Sequence, residues 1–257
     1  MPPSPSASER WKQARRDRSL RTDLVELAGR AVALGLACAD YWLRPGLGAQ
    51  YGGPCNDGQA RVRLCEQLAA LGAVQAVVET GTYRGTTTLF LARVFQTTVH
   101  SVEINPRFHY YARLRTRRVA NVRLSLGDSR QFLQALARDP HVPKQDVFFY
   151  LDAHRPGNLP LPEELDVICR SWEHSLAMID DFEVPGDPGY GFNDYGPGLR
   201  FGTELLPVAT RDYHHFYPTT SSREETGHRR GFILLAPPGP WAERLRRLPL
   251  LRECERS

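Results

Sequence analysis

The chain has 257 residues and a mass of 29.0 kDa, enough for one large α/β domain or two small ones. With 41% hydrophobic and 24% charged residues its composition is that of a globular protein, which excludes wholesale disorder, collagen-like repeats and low complexity. The net charge of +4 is uneven: residues 1–30 carry +3 and residues 241–257 carry +2, leaving the body near −1. A basic fringe on a neutral body is not the charged face with stacking aromatics that nucleic acid requires. Lys12 and Lys144 are the only lysines, so a lysine base is nearly excluded from any active centre. No uncharged apolar run approaches the ~18–20 residues of a membrane span. The N-terminus also lacks the apolar stretch of a secretory signal, so the expectation is a soluble, cytoplasmic protein. Five scattered cysteines with no CxxC pair are read as reduced, partly buried thiols.

In chain order, residues 1–18 are Pro/Ser-rich and then Arg-rich and read as a disordered basic arm. Residues 19–58 form a helical extension and loop. Leu20, Leu24, Leu27, Ala31 and Leu34 make an amphipathic stripe suited to packing within the chain or across a homodimer, and 44–58 is a Gly/Pro loop. A second amphipathic helix runs from Gln59 to Leu71. From there a single domain, 59–257, alternates short apolar runs with helical ones. Strands are predicted at 76–80, 98–103, 121–128, 146–152 and 175–181, and helices at 85–95, 106–118, 129–138 and 161–173. This is the pattern of a parallel sheet built from right-handed βαβ units, and continuous apolar runs such as VFFYL suit a sheet covered on both faces. Residues 183–202, with six glycines and three prolines, read as a long functional loop. The runs at 213–217 and 231–236 lack a helix between them and suggest an antiparallel end to the sheet.

Ligands of open parallel sheets bind beyond the C-terminal strand ends. Every predicted parallel strand ends in an acid here: Glu79, Glu103, Asp128, Asp152 and the pair Asp180–Asp181. The first strand runs into Glu79-Thr80-Gly81-Thr82-Tyr83-Arg84-Gly85, a glycine turn into a helix. Tyr83 stands where a dinucleotide fold wants a glycine against the pyrophosphate. Glu103 is placed to take ribose hydroxyls, and Asp128 to meet an adenine amino group. Asp128 or Ser129 equally suits the N-cap of the helix that follows.

The stretches VVETGTYRGTTT, SVEINP, LGDSRQFL and FFYLDAH resemble the motifs of class I S-adenosylmethionine-dependent methyltransferases over about residues 55–205. The resemblance implies a Rossmann-like, seven-stranded, mostly parallel sheet with helices on both faces and a reversed C-terminal strand. Carried over by position, Glu79, Thr80, Gly81, Thr82, Tyr83 and Gly85 would form the turn beside the methionine moiety. Glu103 would lie at the ribose, and Asp128 and Ser129 at the adenine of bound S-adenosylmethionine.

Asp152, Asp180 and Asp181, brought to one rim, are hard oxygen donors suited to Mg²⁺, Mn²⁺ or Ca²⁺. The arrangement resembles the metal site of catechol-type and macrocin-type O-methyltransferases, the latter acting on sugar hydroxyls. Asp180 and Asp181 also suit a turn cap. In the metal reading a cation, Mg²⁺ foremost, binds neighbouring hydroxyls of a small molecule, and Asp152 and His154 serve catalysis, with His154 the substitute for an absent lysine base. His154 as a further ligand or a structural histidine is the alternative. Tyr190, Phe192 and Tyr195 of the 183–202 loop are candidate substrate-wall residues. The expected function is metal-assisted O-methylation of a sugar or glycosylated metabolite. A different metal-assisted reaction on the same fold, such as hydroxylation, or a non-catalytic nucleoside-binding scaffold, are the alternatives.

Overall fold

The computed structural model describes residues 27–154 and 157–254. The predicted arm 1–18 and the start of the first helix lie outside them. Helix α1 covers residues 27–43. Within the single chain it does not pack through the described part of the predicted stripe: Leu27 and Leu34 are exposed, while Ala37 and Asp40 are buried. Asp40 anchors the helix by its ion pair with Arg107, 2.6 Å away. No helix among the described residues is long and apolar enough to cross a membrane.

The strands are β1 (Ala76–Thr80), β2 (Thr98–Glu103), β3 (Val122–Leu126), β4 (Val147–Leu151), β5 (Leu176–Asp180), β6 (His214–Pro218), β7 (Phe232–Ala236) and β8 (Leu251–Cys254). They form one sheet in the order β3-β2-β1-β4-β5-β7-β6-β8. The first five are parallel, β7 runs antiparallel to β5, and β6 and β8 continue antiparallel. The predicted mixed sheet is present with eight strands rather than seven. The extra strand is the four-residue edge β8, whose sequence LREC is too short and polar to show a strand period.

The connecting helices are α2 (Gln59–Ala70), α3 (Thr86–Phe95), α4 (Pro106–Thr116), α5 (Ser129–Arg138), α6 (Leu161–Ser171) and α7 (Pro240–Leu245). Because side chains alternate along a strand, each central strand feeds two cores. Val77, Phe148, Tyr150, Met178 and Leu234 pack with α2, α3 and α7, and Val78, Phe149, Ile179 and Ile233 pack with α5, α6 and the segment after β5. Tyr190 belongs to the second core with its hydroxyl on the Thr220 carbonyl, so it is no cavity wall.

Strand alternation also decides the fate of the two adjacent aspartates. Asp180, the last residue of β5, points to the α2 side, where it is fully buried against Arg61. Tyr150 donates its hydroxyl to the other carboxylate oxygen at 2.7 Å. Burial works against the Arg61 charge, yet the neighbouring Asp180 holds its pKa above the ordinary arginine value. Breaking such a pair strands a charge in the core, at a cost of about 3–5 kcal/mol. Arg61→Met is expected to lose that much stability in urea unfolding at neutral pH, and Arg61→Met/Asp180→Asn to recover most of it. Equal losses in the single and double variants would mean that the pair is not the stabilising unit.

Candidate functional site

Two cavities adjoin at the C-terminal ends of β1, β2, β4 and β5. The first, of about 270 Å³, is bordered by the turn after β1, by Glu103, Asn105 and Phe108, and by Asp128 and Ser129. The second, of about 430 Å³, is lined by Tyr51, Asn56, Thr86, Asp181, His228 and Arg230 among others. Gly81, Tyr83, Asp152 and His154 border both.

The turn after β1 is built for close approach. A Cβ on Gly81 would stand 2.5 Å from the Asp152 carbonyl oxygen, and its φ of +90° is one that side chains rarely adopt. Tyr83 is also left-handed, with φ 49°, and so takes the conformation that a glycine would supply in a dinucleotide turn. The carboxylate of Glu103 holds it there: Tyr83 N–H donates to Oε2 at 2.7 Å and Asn105 N–H to Oε1 at 2.8 Å. Residues 48–50 close over this turn, with the Thr86 hydroxyl on the Gly48 carbonyl and the Tyr83 hydroxyl on Gln50 at 3.1 Å.

Not every predicted residue reaches the cavities. Glu79 is buried on the α3 side, where its carboxyl accepts from the hydroxyls of Thr88 and Ser101. Burial pushes its pKa up to about 8 despite those two bonds. Thr80 is buried on the opposite face, and Gly85 packs on Ala112 as the residue before α3. Thr82 lines the second cavity and bonds Ser101. Asp128 does cap α5, accepting from Arg130 N–H at 2.9 Å and from the Arg130 guanidinium, while it also borders the first cavity.

At the border of the cavities stand Asp152, His154 and Asp181, whose ligating atoms lie within 4.8 Å of one another. Asp180 is not with them, because it faces Arg61. His154 Nε2 lies 3.1 Å from Asp152 Oδ1 and 3.4 Å from Asp181 Oδ2, and Nδ1 lies 3.0 Å from the Tyr195 hydroxyl. Burial opposes a charge on this imidazole, but its bonds to Asp152 and Asp181 outweigh it and raise the pKa to about 11. Asp181, with φ 56°, receives Arg230 Nε on Oδ1 at 2.7 Å and Asn193 Nδ2 on Oδ2 at 2.9 Å. Burial would raise its pKa, but the bonds from His154 and Arg230 hold it well below the usual carboxylate range. Asn193 Oδ1 in turn accepts from Arg230. A divalent cation needs oxygens with free lone pairs and a surplus of negative charge. Here both Asp181 oxygens and both imidazole nitrogens are engaged and Asp180 is withdrawn, which leaves Asp152 Oδ2 as the single unengaged oxygen of the cluster among the described residues, too few for a resident Mg²⁺.

Arg230, Asn193, Asn56 and Arg61 are site residues that sequence reasoning did not single out. Arg61 carried one signal: it shares the i, i+3, i+7 stripe of α2 with Leu64 and Leu68, where an arginine calls for a buried acid. Arg230 carried none.

No protein-family model matches the chain, and no curated protein does. Solved structures do. The O-methyltransferase TomG of Streptomyces achromogenes, involved in tomaymycin synthesis and solved with S-adenosylmethionine, is 22% identical, with a TM-score of 0.52 over 70% of this chain and 80% of that one. A Klebsiella pneumoniae protein provisionally assigned as an O-methyltransferase is 18% identical, with a TM-score of 0.54 over 79% and 97%. An O-methyltransferase of Bacillus cereus in complex with S-adenosylhomocysteine is 17% identical, with a TM-score of 0.50 over 68% and 80%. The protein therefore has the fold of these O-methyltransferases, as its motifs led us to expect.

The buried carboxyl of Glu79 supplies a test. Its folded pKa of about 8 lies above the unfolded value near ~4.3, so folding takes up a proton between those limits and stability falls as pH rises through them. Glu79→Gln removes that dependence. Relative to the parent, the variant should gain about 2–3 kcal/mol between pH 5.5 and pH 8 in urea unfolding. A constant difference would mean that Glu79 folds ionised.

Proposed function

We propose that the protein is an S-adenosylmethionine-dependent methyltransferase acting on an oxygen of a small molecule. The observation that carries this reading is the meeting of two cavities at Gly81, Tyr83, Asp152 and His154, one bordered by Glu103, Asp128 and Ser129 and the other by Asn56, Asp181 and Arg230. The fold neighbours include proteins solved with S-adenosylmethionine or its demethylated product, which supports the same cofactor here.

In this reading the Glu103 carboxylate, oriented by two backbone N–H groups, takes the ribose hydroxyls. The adenine lies toward Ser129 and Phe108, and the methionine end passes Gly81, where only a glycine leaves room for the chain beside Asp152. The acceptor occupies the second cavity, whose size is that of a small-molecule site. Asn56, Thr86 and Thr87 offer hydroxyl partners and Tyr51 an aromatic face, which suits a sugar or glycosylated acceptor. Holding the two reactants in line across the shared border supplies most of the rate gain.

The proton of the acceptor hydroxyl needs a destination. Both ring nitrogens of His154 are engaged, whereas Asp152 Oδ2 makes no hydrogen bond among the described residues. Asp152 is therefore the better base, and His154 orients it. The acceptor oxygen then forms its bond to the methyl carbon, the sulfonium keeps the bonding pair of the broken S–C bond, and the proton remains on Asp152. The divalent-cation reading of the acids is not carried into this scheme, because Asp180 is withdrawn and both Asp181 oxygens accept from protein donors, leaving one Asp152 oxygen.

Calorimetric titration with S-adenosylmethionine in the presence of EDTA tests the cofactor. The parent protein should bind, and Glu103→Ala should bind about tenfold to a hundredfold more weakly, the worth of hydrogen bonds to a charged acceptor. No binding by the parent would end the proposal. With an acceptor found by screening hydroxylated compounds, Asp152→Asn should keep cofactor affinity and lose at least about a hundredfold in kcat. Full turnover in that variant would remove Asp152 as the base.

A further inference from the structure

The acids at the rim are each matched to a protein cation in a way that a mere cluster would not require. Asp180 is closed off by Arg61 and Tyr150. Asp181 is held from two sides, by Arg230 Nε on Oδ1 at 2.7 Å and by Asn193 Nδ2 on Oδ2 at 2.9 Å, while Asn193 Oδ1 accepts from Arg230. The three side chains thus close a ring of three hydrogen bonds.

The backbone on either side of Arg230 is fixed as well. His228 N–H donates to the Asn56 carbonyl at 3.2 Å, Gly191 N–H to the Arg229 carbonyl at 3.0 Å, and Gly231 N–H to the Gly191 carbonyl at 2.8 Å. Asn193 is fixed by its own N–H on the Asp181 carbonyl at 2.9 Å. Arg230 is only partly covered, it lines the second cavity, and its third guanidinium nitrogen makes no hydrogen bond among the described residues. A guanidinium has five N–H donors and stays ionised at any pH a protein survives, so a fixed positive charge with donors to spare borders the second cavity.

We infer that the acid cluster is closed to divalent cations, and that Arg230, seated on Asp181, exerts on the acceptor oxygen the electrostatic pull that a metal would supply. The second half rests on the methyl-transfer reading; the exclusion of the cation does not. An acceptor oxygen hydrogen-bonded to Arg230 releases its proton to Asp152 more readily, and the charge that develops on it before methyl transfer lies beside a fixed cation.

Mn²⁺ is the probe, since its free-ion electron paramagnetic resonance signal disappears when it is bound. EDTA-stripped parent protein with equimolar Mn²⁺ should leave that signal unchanged. Arg230→Gln, which uncovers Asp181, should take up Mn²⁺, and Arg230→Lys, which keeps the charge, should not; circular dichroism melts confirm that each is folded. Stoichiometric uptake by the parent or by Arg230→Lys would overturn the inference, and failure of Arg230→Gln to bind would show that Arg230 is not the excluding charge. The S-adenosylmethionine titration in EDTA separates this outcome from the function itself. Cofactor binding without metal agrees with both readings, whereas its loss defeats the methyl-transfer reading while the Mn²⁺ result still judges the exclusion. With an acceptor in hand, Arg230→Gln should lower kcat in EDTA at least about tenfold with cofactor affinity intact, and unchanged turnover would remove the electrostatic role.

Discussion

A carboxylate at the end of a central strand, with no contact to water, stays ionised only if a cation is buried against it. Arg61 does this for Asp180, and the geometry of the rim follows from that pairing. Asp180 Oδ1, fixed by Arg61, accepts the N–H of Asp181 at 2.9 Å. The chain is thereby held in the left-handed bend at Asp181, which turns that side chain away from the core and toward the cavity. Backbone strain of this kind costs on the order of 1–3 kcal/mol and persists only where the surroundings over-determine it. On Asp181 the remaining groups then assemble: Arg230, Asn193, and through His154 the second carboxylate, Asp152.

The first cavity rests on a different device. There the backbone itself is the wall, so the requirement falls on Gly81, which lets β1 and β4 meet without a Cβ between them, and on Tyr83, which carries a bulky ring in a glycine-like conformation. Glu103 makes that conformation tenable by accepting from Tyr83 and Asn105 at once. The same two bonds orient the carboxylate toward the cavity. Glu79, four residues before Tyr83, belongs to the foundation of this turn rather than to its surface, and its ties to Thr88 and Ser101 join β1 to α3 and β2.

The second cavity is assembled from segments far apart in the chain. The loop before α2 has three consecutive left-handed residues, Cys55, Asn56 and Asp57, and is pinned to the segment before β7: Glu225 accepts from Ala60 N–H, Thr226 donates its hydroxyl to the Asp57 carbonyl, and His228 N–H meets the Asn56 carbonyl. A Cβ on Gly227 would stand 2.3 Å from the Asn56 oxygen, so that position has no room for a side chain. Residues 44–58, read from the sequence as a loop outside the domain, thus form one wall of its second cavity.

Strand and helix periods, the glycine turn and the acids at the strand ends were legible in the amino-acid order, because each depends on residues within a few positions of one another. They were enough to predict the five parallel strands, the antiparallel end and the placement of Gly81, Tyr83, Glu103, Asp128 and Asp152 around one opening. Which acid faces a ligand and which faces the core was decided only by packing. Asp180 and Asp181 are neighbours in sequence, yet one is buried against Arg61 and the other lines the second cavity, Glu79 lies behind the turn it opens, and Leu27 and Leu34 of α1 are exposed within the single chain. The partners that settle these choices, Arg61 for Asp180 and Arg230 for Asp181, lie 119 and 49 residues away. The α2 stripe marks Arg61 as buried but does not say which acid it meets, and no local pattern marks Arg230 among 33 basic residues, since a buried charge selects its counter-ion by position in space and not along the chain.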